Sequence, residues 1–269
     1  MRLGISSYTF GWAVGTGSHR PAAALTAIGL IDRATQMGVR LLQIADNLPD
    51  ETYTPASVDA IAAHAERHGI AIELGTRGIK PEHLRRFIGL ARRLRSPILR
   101  VVTDIGDDEP AVPEIIERFS AVAEDCRQAG VLIAIENHDR LKAKVLASIA
   151  AAFPATVGIC LDTVNSFGAL EGPEIVVETL GPYTVNLHLK DFAVVRYPSL
   201  SGFRVEGRPA GQGMLDIPWL LAKLKSFGRD CNAILEQWAP QEATEAESIR
   251  LEADWADDSV RTLRRWIPD

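Results

Sequence analysis

Along the chain, short and almost wholly apolar runs alternate with longer stretches in which apolar residues recur every three or four positions. The short runs are LGISSYTF, LLQIAD, IAIELGTR, ILRVVTD, LIAIENHD, VGICLDTVN, TVNLHLKDF and NAILEQW. Continuous apolarity of this kind marks strands buried on both faces, as in a parallel sheet. Between them lie helical patterns such as SVDAIAAHAERHG, PEHLRRFIGLARRLR and VPEIIERFSAVAEDCRQAG, the last read as one helix. Pro81 and Pro113 suit first helical turns, and Gly38, Gly69, Gly130 and Gly228 fall where helices should stop. Eight strand-plus-helix units with short connections predict a single closed (β/α)8 TIM barrel over residues 1–269. An open doubly wound sheet is the alternative. It would be expected to carry a glycine-rich dinucleotide turn after its first strand, which SSYTFGWAVGTGS does not match.

The last four runs each hold an acidic or imidazole side chain near the C-terminal end: Glu136, Asp162, His188 and Glu236. A charge inside an apolar strand costs several kcal/mol unless it is paired or ligates a metal. One such residue can be an accident of packing, and four unrelated ion pairs or hydrogen bonds are the plain alternative. Recurrence at the same place in consecutive units points instead to one shared site, because the C-terminal strand ends form the catalytic face of a barrel. Three carboxylates and an imidazole are a hard, oxygen-rich set that suits Mn²⁺, Mg²⁺ or Co²⁺ and can accept Zn²⁺. The first four runs offer Tyr8, Asp46, Glu73, Arg77 and Arg100 at the same level. Arg100 is a candidate substrate contact, or a partner of Glu73 inside the mouth.

Composition narrows the function. With 46% hydrophobic residues, 269 residues can enclose one large core. A net charge of −6 and a pI near 5.6 argue against nonspecific nucleic-acid or anionic-membrane binding. No apolar run approaches the roughly 20 residues of a membrane span. The opening MRLGISSYTF has no charged region followed by a cleavable apolar stretch, so a soluble, cytoplasmic protein is expected. Cys126, Cys160 and Cys231 are odd in number and scattered, which fits small core residues and neither a disulfide framework nor a thiolate zinc site. Cys160 shares a strand side with Asp162.

These residues carry a resemblance over essentially the whole chain. IENHD, LDTVN, HLKD, GQGMLDIPWLL and ILEQW resemble the xylose-isomerase-like barrel superfamily of sugar isomerases and epimerases, with its dehydratases, lyases on oxidised sugars and repair endonucleases. The resemblance implies one divalent ion held by Glu136, Asp162, His188 and Glu236, with a small carbohydrate completing its coordination. It implies a dimer or tetramer. In the ketose epimerases, the glutamates matching Glu136 and Glu236 also move the proton, one on each face of the sugar. A cation on a ketone and its neighbouring hydroxyl stabilises an enediolate, which makes that proton removable by a nearby carboxylate.

The chain departs from the epimerase pattern in places. Asn165 stands where those enzymes often have a second histidine, and Leu189, Lys190 and Asp191 replace a glycine-glutamate pair. Asn165 is therefore a candidate substrate contact. His138, two residues beyond Glu136, is either an acid or base in the same cavity or a hydrogen-bonding support for Glu136. An ExH arrangement resembles lyases and dehydratases at least as well as epimerases. Lys190 can stabilise an oxyanion or bind a substrate carboxylate, or it can simply pair with Asp191.

The segment 193–210 reads as a long loop over the catalytic face, a lid carrying Arg208. Arg208 lies three residues before GQG, where the epimerases place a substrate-touching arginine. Gly211 and Gly213 fit a tight turn. Trp12 and Trp238 each follow a strand end and can stack on a sugar ring. His64, His68 and His83 fall on the outer helices, and Trp219 in an apolar helical run.

Two functions follow. The first is a metal-dependent isomerase or epimerase of a small keto sugar or polyol-derived ketone. The second is a lyase on an oxidised, 3-oxo sugar or sugar acid that uses the same stabilised enediolate for decarboxylation, dehydration or elimination. An abasic-DNA endonuclease would need more histidine ligands and a basic face, and a sugar-sensing module would not need four intact ligands.

Overall fold

The computed structural model describes residues 1–268. The apolar runs become strands β1 (Leu3–Ser6), β2 (Leu41–Ile44), β3 (Ala71–Arg77), β4 (Ile98–Val102), β5 (Leu132–Glu136), β6 (Val157–Asp162) and β7 (Thr184–Leu189). An antiparallel hairpin of β8 (Asp191–Arg196) and β9 (Phe203–Arg208) follows, and then β10 (Asn232–Leu235). All but the hairpin pair in parallel and close into a barrel in the order β1-β10-β7-β6-β5-β4-β3-β2. Every residue of β4 and β6 is buried, as continuous apolar runs require when helices cover the outside and other strands face them inside. The (β/α)8 TIM barrel expected from the hydrophobic pattern is therefore the fold. No helix among the described residues is long and apolar enough to cross a membrane.

Local chemistry sets the helix ends. The helix Pro55–His68 starts where the Thr54 side chain accepts a hydrogen bond from Ser57 N, and it stops at Gly69, whose φ of 63° no β-carbon favours. The last helix, Glu245–Leu263, opens with a reciprocal Thr244 and Glu247 capping box.

Three expectations are corrected. The first strand ends at Ser6, and Ser7–Phe10 turns as a 3-10 helix. There the Ser6 hydroxyl accepts from Tyr8 N while Thr9 Oγ1 accepts from Ser6 N, a local bonding pattern that ends the extended run. The stretch VPEIIERFSAVAEDCRQAG is two helices, Val112–Ser120 and Ala123–Ala129. The long loop at 193–210 is mostly the β8–β9 hairpin. Its alternating FAVVR and FRVEGR segments pair Val194 with Val205 and Arg196 with Phe203.

Candidate active site

Parallel register delivers the acidic cluster. Glu136 ends β5, Asp162 ends β6 opposite His188 on β7, and Glu236 follows β10, whose Ile234 also lies opposite His188. The four side chains are 0–1% exposed. His188 Nδ1 stands 3.4 Å from Glu136 Oε2, 3.4 Å from Glu236 Oε1 and 4.0 Å from Asp162 Oδ2.

The tautomer of His188 follows from the next shell inward. Gln43 Nε2 donates to Asn186 Oδ1 (3.1 Å) and Glu73 Oε2 (3.3 Å), so Gln43 Oε1 is free to accept from His188 Nε2 at 2.7 Å. His188 Nδ1 is then a bare lone pair, buried without a hydrogen-bond partner, and it faces three carboxylates. A lone pair and three anions converging in a dry interior is a strongly repulsive arrangement unless a cation sits among them. The donor set therefore fits a divalent metal, and its members fall into two overlapping groups with ligand atoms within 4.8 Å of one another: Asp162, His188 and Glu236, and Glu136, Cys160 and His188.

Two basic side chains also reach into the cluster. Arg100 bonds Glu136 through Nε and Asp46 Oδ1 through Nη1, the latter at 2.6 Å. Burial alone would raise the Glu136 carboxyl, but Arg100 overrides it, with Lys190 adding, and holds it well below the usual range. Lys190 Nζ lies 2.8 Å from Asp162 Oδ2, 3.1 Å from Glu236 Oε2 and 3.3 Å from Asn165 Oδ1. Burial favours its neutral form, yet Asp162, Glu236 and Glu136 outweigh that and raise it. Asn165 closes the ring, donating from Nδ2 to Glu136 Oε1 at 2.5 Å.

Above the cluster opens a pocket of about 470 Å³ lined by Tyr8, Trp12, Asn165, Lys190, Glu236, Trp238 and Glu252. Of the residues read from the sequence, Glu136, Asp162, His188, Glu236, Lys190, Asn165 and Arg100 thus converge. Trp12 and Trp238 form the rim, with Trp12 Nε1 donating to Ala239 O at 2.9 Å. His138 lies to one side: its Nε2 accepts from Arg77 Nη2 at 3.4 Å and its Nδ1 faces Asp139 Oδ2 at 2.8 Å. Arg208 is not among the pocket residues; it pairs with Glu206 at 2.8 Å on the hairpin.

The pairings expected for Arg100 with Glu73 and for Lys190 with Asp191 are not formed. Glu73 lies lower in the barrel, accepting from Asn186, Asn232 and Gln43. Asp191 instead accepts the backbone N–H groups of Phe192, Gly211, Gly213 and Leu215, folding the GQG turn around its carboxylate.

Four residues were missed. Gln43 had a signal, being one polar residue in the apolar run LLQIAD. Ser6, which donates to Glu236 Oε1 at 3.0 Å, sits among ordinary turn formers. Asp191 was noted only as a partner for its neighbour. Glu252 lies in the acidic helix LEADWADD, which reads as a solvated face, yet it is 1% exposed and accepts from Trp12 N and Ala13 N.

The fold and site together are a closed (β/α)8 barrel with an acid-imidazole cluster at its C-terminal mouth. Residues 31–266 match the family model described as a xylose isomerase-like TIM barrel, and the chain belongs to that family. It is 32% identical over 264 residues to the 3-oxo-isoapionate decarboxylase of Pectobacterium atrosepticum, covering 98% of this chain and 95% of that one. Among solved structures, a D-psicose 3-epimerase crystallised in the presence of D-fructose superposes with a TM-score of 0.72 at 15% identity, over 99% of both chains. The IolI protein with a bound zinc atom gives 0.69 at 17% identity, over 97% of this chain and 99% of that one.

Proposed function

We propose that this protein is a divalent-metal-dependent lyase that decarboxylates a 3-oxo sugar acid. The observation that carries the reading is Lys190, a cation set between Asp162 and Glu236 and exposed to the pocket. Glu136, Asp162, Glu236 and Asp46 supply four negative charges against three positive ones on Arg77, Arg100 and Lys190. A divalent ion turns that net charge of −1 into +1, which favours an anionic substrate over a neutral ketose. The likeness to a 3-oxo-isoapionate decarboxylase over almost the full chain supports the same class.

Glu136, Asp162, His188 and Glu236 would hold the ion, Mn²⁺ or Mg²⁺ by the oxygen-rich donor set, with Co²⁺ and Zn²⁺ also suited. When bound, it supplies Lewis-acid stabilisation to a ketone that takes up negative charge. Asn165 and Arg100 fix Glu136 in place, and Trp12 and Trp238 wall the sugar. As the bond from carbon to the departing carboxylate breaks, its electron pair passes to the 3-oxo group as an enolate. Lys190, kept charged by its neighbours, donates a proton to the carbanionic carbon, and carbon dioxide leaves. The Lys190 amine left by that step takes up a proton from water, and Asp162 and Glu236, both bonded to it, hold the restored ammonium in place.

A second reading is epimerisation of a keto sugar. Glu136 and Glu236 each lie 3.4 Å from His188 Nδ1, so the cluster offers two carboxylates as candidate bases for a proton exchange. Proton NMR in deuterated water on 3-oxo sugar acids and ketoses separates the two. Carbon dioxide with one deuterium in the shortened product supports the lyase. Solvent deuterium in an isomer that keeps every carbon supports the epimerase. Turnover indifferent to metal removal sinks both.

A further inference from the structure

Outside the barrel, the helix Ala27–Gln36 packs against the helix Pro55–His68. The second helix carries His64 and His68 one turn apart, hence on one face, and that face meets Asp32 of the first. One ligand atom from each of Asp32, His64 and His68 lies within 4.8 Å of the others. None of the three lines the pocket of Lys190 and Glu236.

We propose that Asp32, His64 and His68 form a second metal site, for a borderline divalent ion of the Zn²⁺ or Ni²⁺ kind, that clips these two helices together. Tetrahedral zinc, with bonds near 2.0–2.2 Å, spaces its ligands by roughly 3.3–3.6 Å, so small side-chain rotations complete the geometry. Two imidazoles and one carboxylate are a softer set than the cluster at the barrel mouth, and they select a different ion. The site is half-buried: the His64 side chain is 17% exposed and that of Asp32 47%. That leaves one coordination position open to water.

The hydrogen bonds now present define what the ion replaces. His64 Nε2 donates to Asp32 Oδ1 at 2.6 Å, and His64 Nδ1 accepts from Arg67 Nη2 at 2.9 Å. An ion taken by Nε2 requires the single proton of the neutral ring to move to Nδ1, which can then no longer accept from the Arg67 guanidinium. Arg67, which is exposed, turns out to solvent. Removing Arg67 therefore tightens binding, whereas removing either histidine weakens it.

The test counts Zn²⁺ per chain by elemental analysis after dialysis of the whole protein against micromolar zinc. The readout is the difference between wild type and His68→Ala, which stands whether or not the barrel mouth holds an ion. One zinc fewer in His68→Ala and in His64→Ala, an affinity at least about tenfold lower in each, and tighter binding in Arg67→Ala support the site. A zinc-dependent rise in melting temperature that His68→Ala abolishes supports the clip. Equal zinc counts in wild type and His68→Ala overturn the proposal, as does occupancy reached only at millimolar zinc. Circular dichroism of the metal-free variants checks that each is folded.

Discussion

His188 Nε2 lies 2.7 Å from Gln43 Oε1, and this contact fixes which imidazole nitrogen faces the acidic cluster. Because both Gln43 amide protons are directed to Glu73 and Asn186, its oxygen must accept, and in the neutral imidazole Nδ1 presents a lone pair. Gln43 is thus the outer partner that would orient His188 as a ligand in the proposed metal site. Replacing it with leucine frees the ring to flip. Metal affinity should fall roughly 10–100-fold, measured by calorimetric titration of the metal-free protein. An unchanged affinity would show that the ring is held by something else.

Lys190 makes a separable prediction, since in the proposed function it would compete with the cation for Asp162 and Glu236 and also serve the substrate. Lys190→Met keeps the length of the side chain and removes the charge. Metal binding should be retained or tightened, because two carboxylates lose a counter-ion, while kcat drops roughly 10²–10⁴-fold as expected for a lost proton donor. Loss of both together points to a collapsed site and removes Lys190 from the proposed chemistry.

The GQG turn depends on Asp191. Its carboxylate, 2% exposed, accepts four backbone N–H groups, and a β-carbon on Gly213 would lie 2.1 Å from Asp191 Oδ1 and 2.5 Å from Phe192 O. Asp191→Ala leaves these donors without a partner and should cost about 3 kcal/mol or more in urea unfolding. Gly213→Ala should expose the 209–215 turn to limited proteolysis. Resistance equal to wild type would show that the turn relaxes without cost.

The barrel and the cluster were legible in the sequence for one reason: a parallel barrel buries its strands on both faces, so any charge within a strand stands out. Glu136, Asp162, His188 and Glu236 were found that way, and Gln43 obeyed the same rule. Partners were not legible, because a side chain's reach across strands depends on register and barrel closure. Arg100 bonds Glu136 and Asp46 rather than Glu73, since Glu73 faces the lower layer with Asn186 and Asn232. Arg208 was placed by analogy with the epimerases, and in the structure the hairpin pairs it with Glu206. Glu252 gave no signal at all. A carboxylate buried by the tertiary packing of one helix looks in sequence like its solvated neighbours.

That buried carboxylate sets a pH dependence. Burial pushes the Glu252 carboxyl up from 4.5 to about 7, although the backbone N–H groups of Trp12 and Ala13 pull it down. Between about pH 4.5 and 7 the folded chain therefore holds a proton that the unfolded chain has released. Stability from this group is full below the lower value and is lost as pH rises through the upper one, about 3 kcal/mol in all. Glu252→Gln cannot titrate, so its unfolding free energy should lack this decline, and the difference between wild type and variant should shrink in the wild type's disfavour from pH 5 to pH 8. Above pH 7 the ionised group draws harder on Trp12 N and Ala13 N, and Trp12 lines the pocket proposed to take the substrate. The KM of the wild type should consequently change across the same interval while that of Glu252→Gln stays level. Parallel stability curves for the two proteins from pH 5 to pH 8 would mean that Glu252 ionises as freely in the fold as outside it.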